Sequence, residues 1–295
     1  MSPSVPLVAE AGRGTLRALK RTARAVGITR GRAAGAGMAT ERYALGRAAA
    51  ARMATERYAL AVGGRTRVRP GGRILCYHSL GEPSYGVNDV SPARFRRQIE
   101  TALRAGYRFV PAEAIAETGG APHDLAITFD DACKSVLTVG APILSALGLP
   151  WSLFVVSGWC EAIGTGRSDA YLSWQEVEAL AAAGARIGSH SVTHPDFGRL
   201  APDQAADELV RSRETIGRRL GIVPTSFAIP LGQSMNWSAA AGRLAREAGY
   251  RTVYAQAEET RPAGTVARTF VTRFDDAIVF RGLLRGRFDA WEEWV

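Results

Sequence analysis

The chain has 295 residues, 22% of them charged and 46% hydrophobic, a globular composition long enough for one large domain or two ordinary ones. Its net charge of +9 is uneven: residues 1–73 hold 15 Lys+Arg and 3 Asp+Glu, whereas residues 74–295 hold 22 and 25. The larger part is therefore slightly acidic, without the basic stripe of a nucleic-acid enzyme, and no nucleic-acid partner is expected.

Residues 1–69 form an Ala/Arg/Gly-rich basic extension, expected to be partly helical or disordered. Leu16, Leu19, Ala23 and Val26 recur at helical spacing, with Arg17, Lys20, Arg21 and Arg24 between them. This basic amphipathic pattern fits peripheral contact with an anionic membrane through residues 13–30; a solvated helix is the plainer alternative. Residues 31–45 (GRAAGAGMATERYAL) and 46–60 (GRAAAARMATERYAL) are a tandem duplication, too short for a solenoid. Met38 and Met53 open the repeated octamer, so the true start could be Met1, Met38 or Met53. The first 30 residues have no continuous apolar core of a signal peptide. Nowhere is there an apolar run near the roughly 18 residues that span a bilayer. The expected location is the cytoplasm or the inner membrane face. Cys76, Cys133 and Cys160 form no CxxC pair and read as reduced thiols, although Cys133 lies close to an acidic pair.

Arg69-Pro70-Gly71-Gly72 breaks the pattern and sets the expected start of a catalytic domain over 70–295. Strands are expected at 73–77, 124–129, 151–156, 185–189, 225–229, 251–254 and 266–271. Helices are expected at 92–105, 135–147, 173–183, 202–220 and 238–248. Ser91 and Ser173 are start signals, and Gly106, Gly148, Gly184, Gly221 and Gly249 are stop signals. Alternating β and α units imply a mostly parallel sheet with outer helices, and seven strands fit a barrel at least as well as an open sheet. Either way, the site belongs at the carboxyl ends of the strands.

Those ends carry the reactive residues. Asp130-Asp131 follow the apolar run Leu125–Phe129; two adjacent carboxylates repel, and a divalent metal is the simplest compensation, a capped turn the alternative. His190 and His194, two of only four histidines, follow the strand at 185–189. Pro195 disfavours the α region at His194, which places the pair on a turn or loop. Two imidazoles and a carboxylate make an open catalytic zinc set that also suits iron, cobalt or nickel. Phe227–Gly232 ends another strand with a Pro-Gly loop whose N–H groups can face a site. Tyr77-His78-Ser79 ends a fourth.

Together these residues resemble the polysaccharide deacetylase (NodB-homology) family over about 74–285. Thr128–Asp131, His190 with His194, and Phe227–Gly232 stand where its three motifs would. The resemblance implies a distorted (β/α) barrel of about seven strands and hydrolysis of acetyl groups, N-acetyl above all, on a sugar, oligosaccharide or polysaccharide. It implies that Asp131, His190 and His194 hold one divalent metal, zinc first, and that a metal-activated water attacks. Asp130 becomes the general base, and Pro230-Leu231 the loop that receives the oxyanion. No histidine follows His194, so the proton-donating acid is assigned to His78, as in the permuted subgroup acting on poly-N-acetylglucosamine.

Three departures stand out. Ala132 replaces a glycine, tolerable if φ is negative there. Ala228 stands where many members have an arginine touching the base, and Leu231 replaces an aromatic. Arg268 and Arg273 flank the last strand; either could orient a carboxylate in the site, or both could pair at the surface. Trp174 is read as core rather than sugar-stacking, His123 as surface, and the Trp291…Trp294 pair as docking the C-terminus. The rival readings are a same-fold hydrolase of another C–N bond, such as a cyclic imide, and an inactive barrel that binds membrane or nucleic acid. The basic extension suits a lipid-linked substrate at the inner leaflet.

Overall fold

The computed structural model describes residues 47–64, 71–161, 170–256 and 261–289. The basic segment 13–30, the first repeat copy at 31–45, the expected boundary at 69–70 and Trp291…Trp294 lie outside them. No helix among the described residues is long and apolar enough to cross a membrane.

Eight parallel strands alternate with helices. The strands are β1 Arg73–Tyr77, β2 Arg108–Phe109, β3 Asp124–Phe129, β4 Ser152–Val155, β5 Arg186–Ser189, β6 Ser226–Ala228, β7 Thr252–Gln256 and β8 Val266–Phe270. The helices are α1 Arg47–Gly63, α2 Pro92–Arg104, α3 Ala112–Thr118, α4 Ala141–Ala146, α5 Trp174–Ala182, α6 Pro202–Leu220, α7 Ala239–Glu247 and α8 Ala277–Leu284. β1 pairs with both β3 and β8, which closes a seven-stranded barrel; the two-residue β2 adds beside the start of β3. The expected barrel is therefore present, and β2 is one strand beyond the expected set.

Local chemistry accounts for the element ends. Ser91 and Ser173 cap α2 and α5 through their hydroxyls, and Glu176 completes a capping box by accepting from the Ser173 N–H. Gly221 ends α6 in the left-handed conformation, which costs glycine no Cβ clash. The expected helix over 135–147 is split into a π-turn, Val136–Gly140, and α4. Pro142 has no N–H to give the preceding turn, and the Ala141 N–H reaches back to the Val136 carbonyl.

Strand side chains alternate between outward clusters under the helices and one cluster inside the barrel. Leu75, Leu125, Ile127, Leu153 and Val155 pack outward under the helices. Ile74, Ala126, Phe154, Ala228 and Tyr254, from five strands, form a second cluster that fills the barrel. Gly188 on β5 makes room for it: a Cβ there would lie 2.5 Å from the Phe154 ring and 2.7 Å from Ser226 Oγ. Gly188→Ala is expected to destabilise the barrel by about 1–3 kcal/mol through overpacking. A lower urea midpoint at unchanged slope would show it.

Helix α1 lies inside the stretch assigned to the extension, yet it belongs to the barrel's packing. Met53, Arg57 and Ala61 are buried, and Ala61 meets α8 where Gly282 has no side chain. The barrel's packing thus reaches back at least to Met53.

Candidate metal and active site

The end of β3 turns sharply. Asp131 and Ala132 both have left-handed backbones, with φ of 68° and 56°. The condition for tolerating Ala132, a negative φ, is therefore not met: this alanine takes the conformation that a glycine adopts freely. Surrounding hydrogen bonds hold the turn. The Leu172 N–H donates to the Ala132 carbonyl at 2.9 Å, and the Lys134 N–H to the Ala170 carbonyl at 2.8 Å. Ser191, His194 and Leu231 are also left-handed, so strain gathers in three of the four strand-end segments singled out in the sequence.

The turn separates the two carboxylates. Asp131 Oδ1 lies 3.5 Å from His190 Nε2 and 3.5 Å from His194 Nε2, and all three side chains are buried. One ligand atom from each residue falls within 4.8 Å of the others. His190 Nδ1 lies 2.8 Å from the Ala228 carbonyl, so that nitrogen carries the proton and Nε2 offers its lone pair. Burial lowers the proton affinity of His190, against the opposing pull of Asp130, and favours the neutral, ligating form. The His190–His194 segment is a loop, as Pro195 implied. Glu208 on α6 pins it, accepting from the Val192 and Thr193 N–H groups at 2.8 and 3.0 Å. The donor set, one carboxylate and two imidazoles with one ring fixed from behind, fits a divalent zinc-like ion.

Asp130 points elsewhere. Arg268 Nη1 and Nη2 donate to its two oxygens at 2.7 and 2.6 Å, and the Cys76 thiol approaches Oδ2 at 3.4 Å. Arg268 is buried, also donates to Thr128 Oγ1, and lies 5.2 and 5.8 Å from the Phe154 and Tyr254 ring centroids. Burial alone would push the Asp130 carboxyl up. The Arg268 guanidinium, helped by His190, outweighs it and holds the group well below the usual carboxylate range. The arginine missing at Ala228 is thus supplied from β8. The idea of Arg268 and Arg273 as a paired surface set fails for Arg268; Arg273 is exposed beside Phe274.

His78, at the end of β1, is buried with its ring 5.2 Å from Phe270, edge to face. Burial pushes its imidazole down to about 4, with Asp130 pulling the other way. The sign follows from that direction. Between the ordinary value of 6.5 and about 4, the unfolded chain takes up a proton that the folded chain refuses. Stability of the EDTA-treated protein is therefore expected to fall on acidification across that window, and Asp130 adds to the loss at lower pH. Urea midpoints measured in steps of pH check this, and a flat profile would count against it.

The remaining residues sort cleanly. Leu231, after Pro230, sits exposed on the loop following β6. Trp174 is core, and His123 is exposed. All three cysteines are free and buried, and burial raises the Cys133 thiol well above its usual range. Sequence reasoning gave no site role to Trp159, whose ring is 5.4 Å from that of His194, to Cys76 or to Glu208, and it placed Thr128 in a motif without its contact to Arg268. No local pattern marks them; each acts on a partner far along the chain.

The polysaccharide deacetylase family model matches residues 118–253. The match covers 136 of the chain's 295 residues, a polysaccharide deacetylase domain. By that domain the chain is a carbohydrate deacetylase, a hydrolase. The match spans Asp130, Asp131, His190, His194 and the loop after β6; β1 with His78 and β8 with Arg268 lie beyond it. None of the curated proteins matches. Among solved structures, the Streptococcus pyogenes deacetylase PplD in complex with acetate is 21% identical, with a TM-score of 0.62 over 73% of this chain and 97% of that one. IcaB from Ammonifex degensii is 24% identical, with a TM-score of 0.61 over 75% and 98%. A de-N-acetylase from Aggregatibacter actinomycetemcomitans is 18% identical, with a TM-score of 0.62 over 72% and 99%. At these identities the likeness is one of fold, and it extends over nearly the full length of each neighbour.

Proposed function

We propose that this deacetylase hydrolyses N-acetyl groups on a sugar, with one divalent metal at Asp131, His190 and His194, Asp130 as base and His78 as acid. The observation that carries the reading is the division of labour at the end of β3. One carboxylate meets two imidazoles, and its neighbour is clamped to a buried arginine. The similarity to a protein described as a de-N-acetylase supports the N-acetyl choice.

A divalent ion in the Asp131 group would polarise the acetyl carbonyl and make a nearby water more acidic. Asp130 takes the proton of that attacking water. Arg268 occupies both oxygens of Asp130 and keeps it ionised, with Oδ2 3.8 Å from His190 Nε2. The Leu231 N–H, presented by the turn after Pro230, receives the negative oxygen. His78 returns a proton to the departing nitrogen, because an amide anion leaves poorly. Since burial keeps His78 neutral at rest, the proton it delivers is the one Asp130 took from the water, a carboxylate oxygen of Asp130 lying within 4.8 Å of a His78 ring nitrogen. The wider reading includes contact of residues 13–30 with an anionic membrane and a lipid-linked sugar as substrate. Co-sedimentation with anionic vesicles, lost on removing those residues, tests that part.

The direct test is metal content and acetate release on the same sample, with N-acetylglucosamine oligomers as substrate. The expected result is about one metal per chain and acetate release that a chelator abolishes and zinc restores. His190→Ala and His194→Ala should lose both metal and turnover. Full metal occupancy in His190→Ala would overturn the assignment.

A further inference from the structure

Helix α1 carries the second copy of the duplicated segment, and its Arg57 is fully buried. Two of its guanidinium nitrogens, Nε and Nη2, bind the Asp275 carboxylate, Nη2 also donates to the Phe270 carbonyl at 3.1 Å, and the Phe288 ring lies 4.8 Å away. Both polar partners lead to the site. Phe270 ends β8, two residues after Arg268, and its ring packs against His78. The Asp275 carbonyl accepts from Gln98 Nε2 at 2.8 Å, Gln98 Oε1 accepts from the Tyr77 hydroxyl at 3.0 Å, and the Tyr77 carbonyl accepts from the Asp130 N–H at 2.9 Å. Tyr77 immediately precedes His78. One arginine thus holds the end of β8, whose ring packs on the imidazole, and the turn that backs the end of β1.

We propose that Arg57 is a positioning residue for His78: by docking α1 it fixes the imidazole where it can reach the leaving nitrogen. The inference rests on the reading of His78 as the acid. It gives the second repeat copy a task within the catalytic domain, since that copy's arginine connects with the site although it touches no reacting atom.

The test uses the full chain, loaded with metal. The octamer MATERYAL occurs twice, so Arg42 could stand in for Arg57 by sequence, and the informative variant is Arg42→Ala/Arg57→Ala. Two substrates separate positioning from general damage. An N-acetylglucosamine oligomer expels an amine that needs a proton; para-nitrophenyl acetate expels a phenolate that does not. On the oligomer, kcat is expected to fall about tenfold to a hundredfold with KM little changed. On the ester, turnover should stay within about twofold. Arg42→Ala alone should match the wild type. Arg42→Ala/Arg57→Lys keeps the charge without the two-pronged grip and should show a milder loss of the same kind, which also serves if the alanine variant does not fold. Equal losses on both substrates, or none on either, would overturn the proposal. His78→Ala run in parallel separates the two ideas. If it spares the ester and the Arg57 variants do not, only the Arg57 role fails. If it slows both substrates alike, the acid assignment fails and takes this inference with it.

Discussion

Asp130→Asn is expected to lose about 10²–10⁴-fold in acetate release, the usual scale of general base catalysis, while metal content stays at the wild-type level. The proposed ligands Asp131, His190 and His194 are untouched, although Asp130 also belongs to a second candidate group with Cys76 and His78. The same substitution is not structurally silent. Arg268 is buried against Asp130, and the amide leaves the guanidinium without its counter-charge. A buried pair broken from one side typically costs about 3–5 kcal/mol. Activity must therefore be read below the variant's melting point, with folding checked by circular dichroism on the same sample. Retained acetate release by a folded Asp130→Asn would remove Asp130 from the chemistry.

Arg268→Met is expected to cost stability on the same scale, about 3–5 kcal/mol, because it strands the Asp130 carboxylate in the barrel. Without the guanidinium, burial pushes the Asp130 carboxyl up, so the base loses its charge at mild acidity. Acetate release should then fall off at higher pH than in the wild type. The double variant Asp130→Asn/Arg268→Met supplies the decisive comparison. Removing both charges leaves neither uncompensated, so its urea midpoint should recover well above those of the two single variants. Additive losses would show that the pair is not coupled as the 2.6 and 2.7 Å contacts require.

What could be read from the sequence followed locality. β3 and α6 have the expected bounds because their signals are adjacent in the chain. β3 is a buried apolar run that stops at two carboxylates, and α6 is framed by Pro202 and Gly221. The Asp131, His190 and His194 group was legible because each ligand follows a recognisable strand. Helix α8 was missed because Ala277–Leu284 is apolar on nearly every side and has no helical stripe. The extension was expected to be partly helical, but the docking of α1 was missed because it runs through an arginine and small residues, so nothing in its Ala/Arg composition looks like a core face. Arg268 stayed ambiguous for a related reason: its partner is 138 residues away, and a lone arginine on a strand does not name it. The left-handed Ala132 was invisible because alanine carries no mark of that conformation.

The closure of the barrel has a consequence for the order of events during synthesis. The metal candidates come from β3 and the loop after β5, in the middle of the chain, whereas His78 sits on β1 and Arg268 on β8. The ties that complete the fold, Arg57 to Asp275 and Arg73 to Asp289, span 218 and 216 residues. On the proposed reading, a nascent chain holds Asp131, His190 and His194 well before Asp130 gains Arg268. Contacts of such range also form slowly, since a long loop must close before they are rewarded. Competence for hydrolysis therefore arrives only with the last strand and the C-terminal helix. Truncation from that end should leave a chain that can take up a cation and cleave nothing.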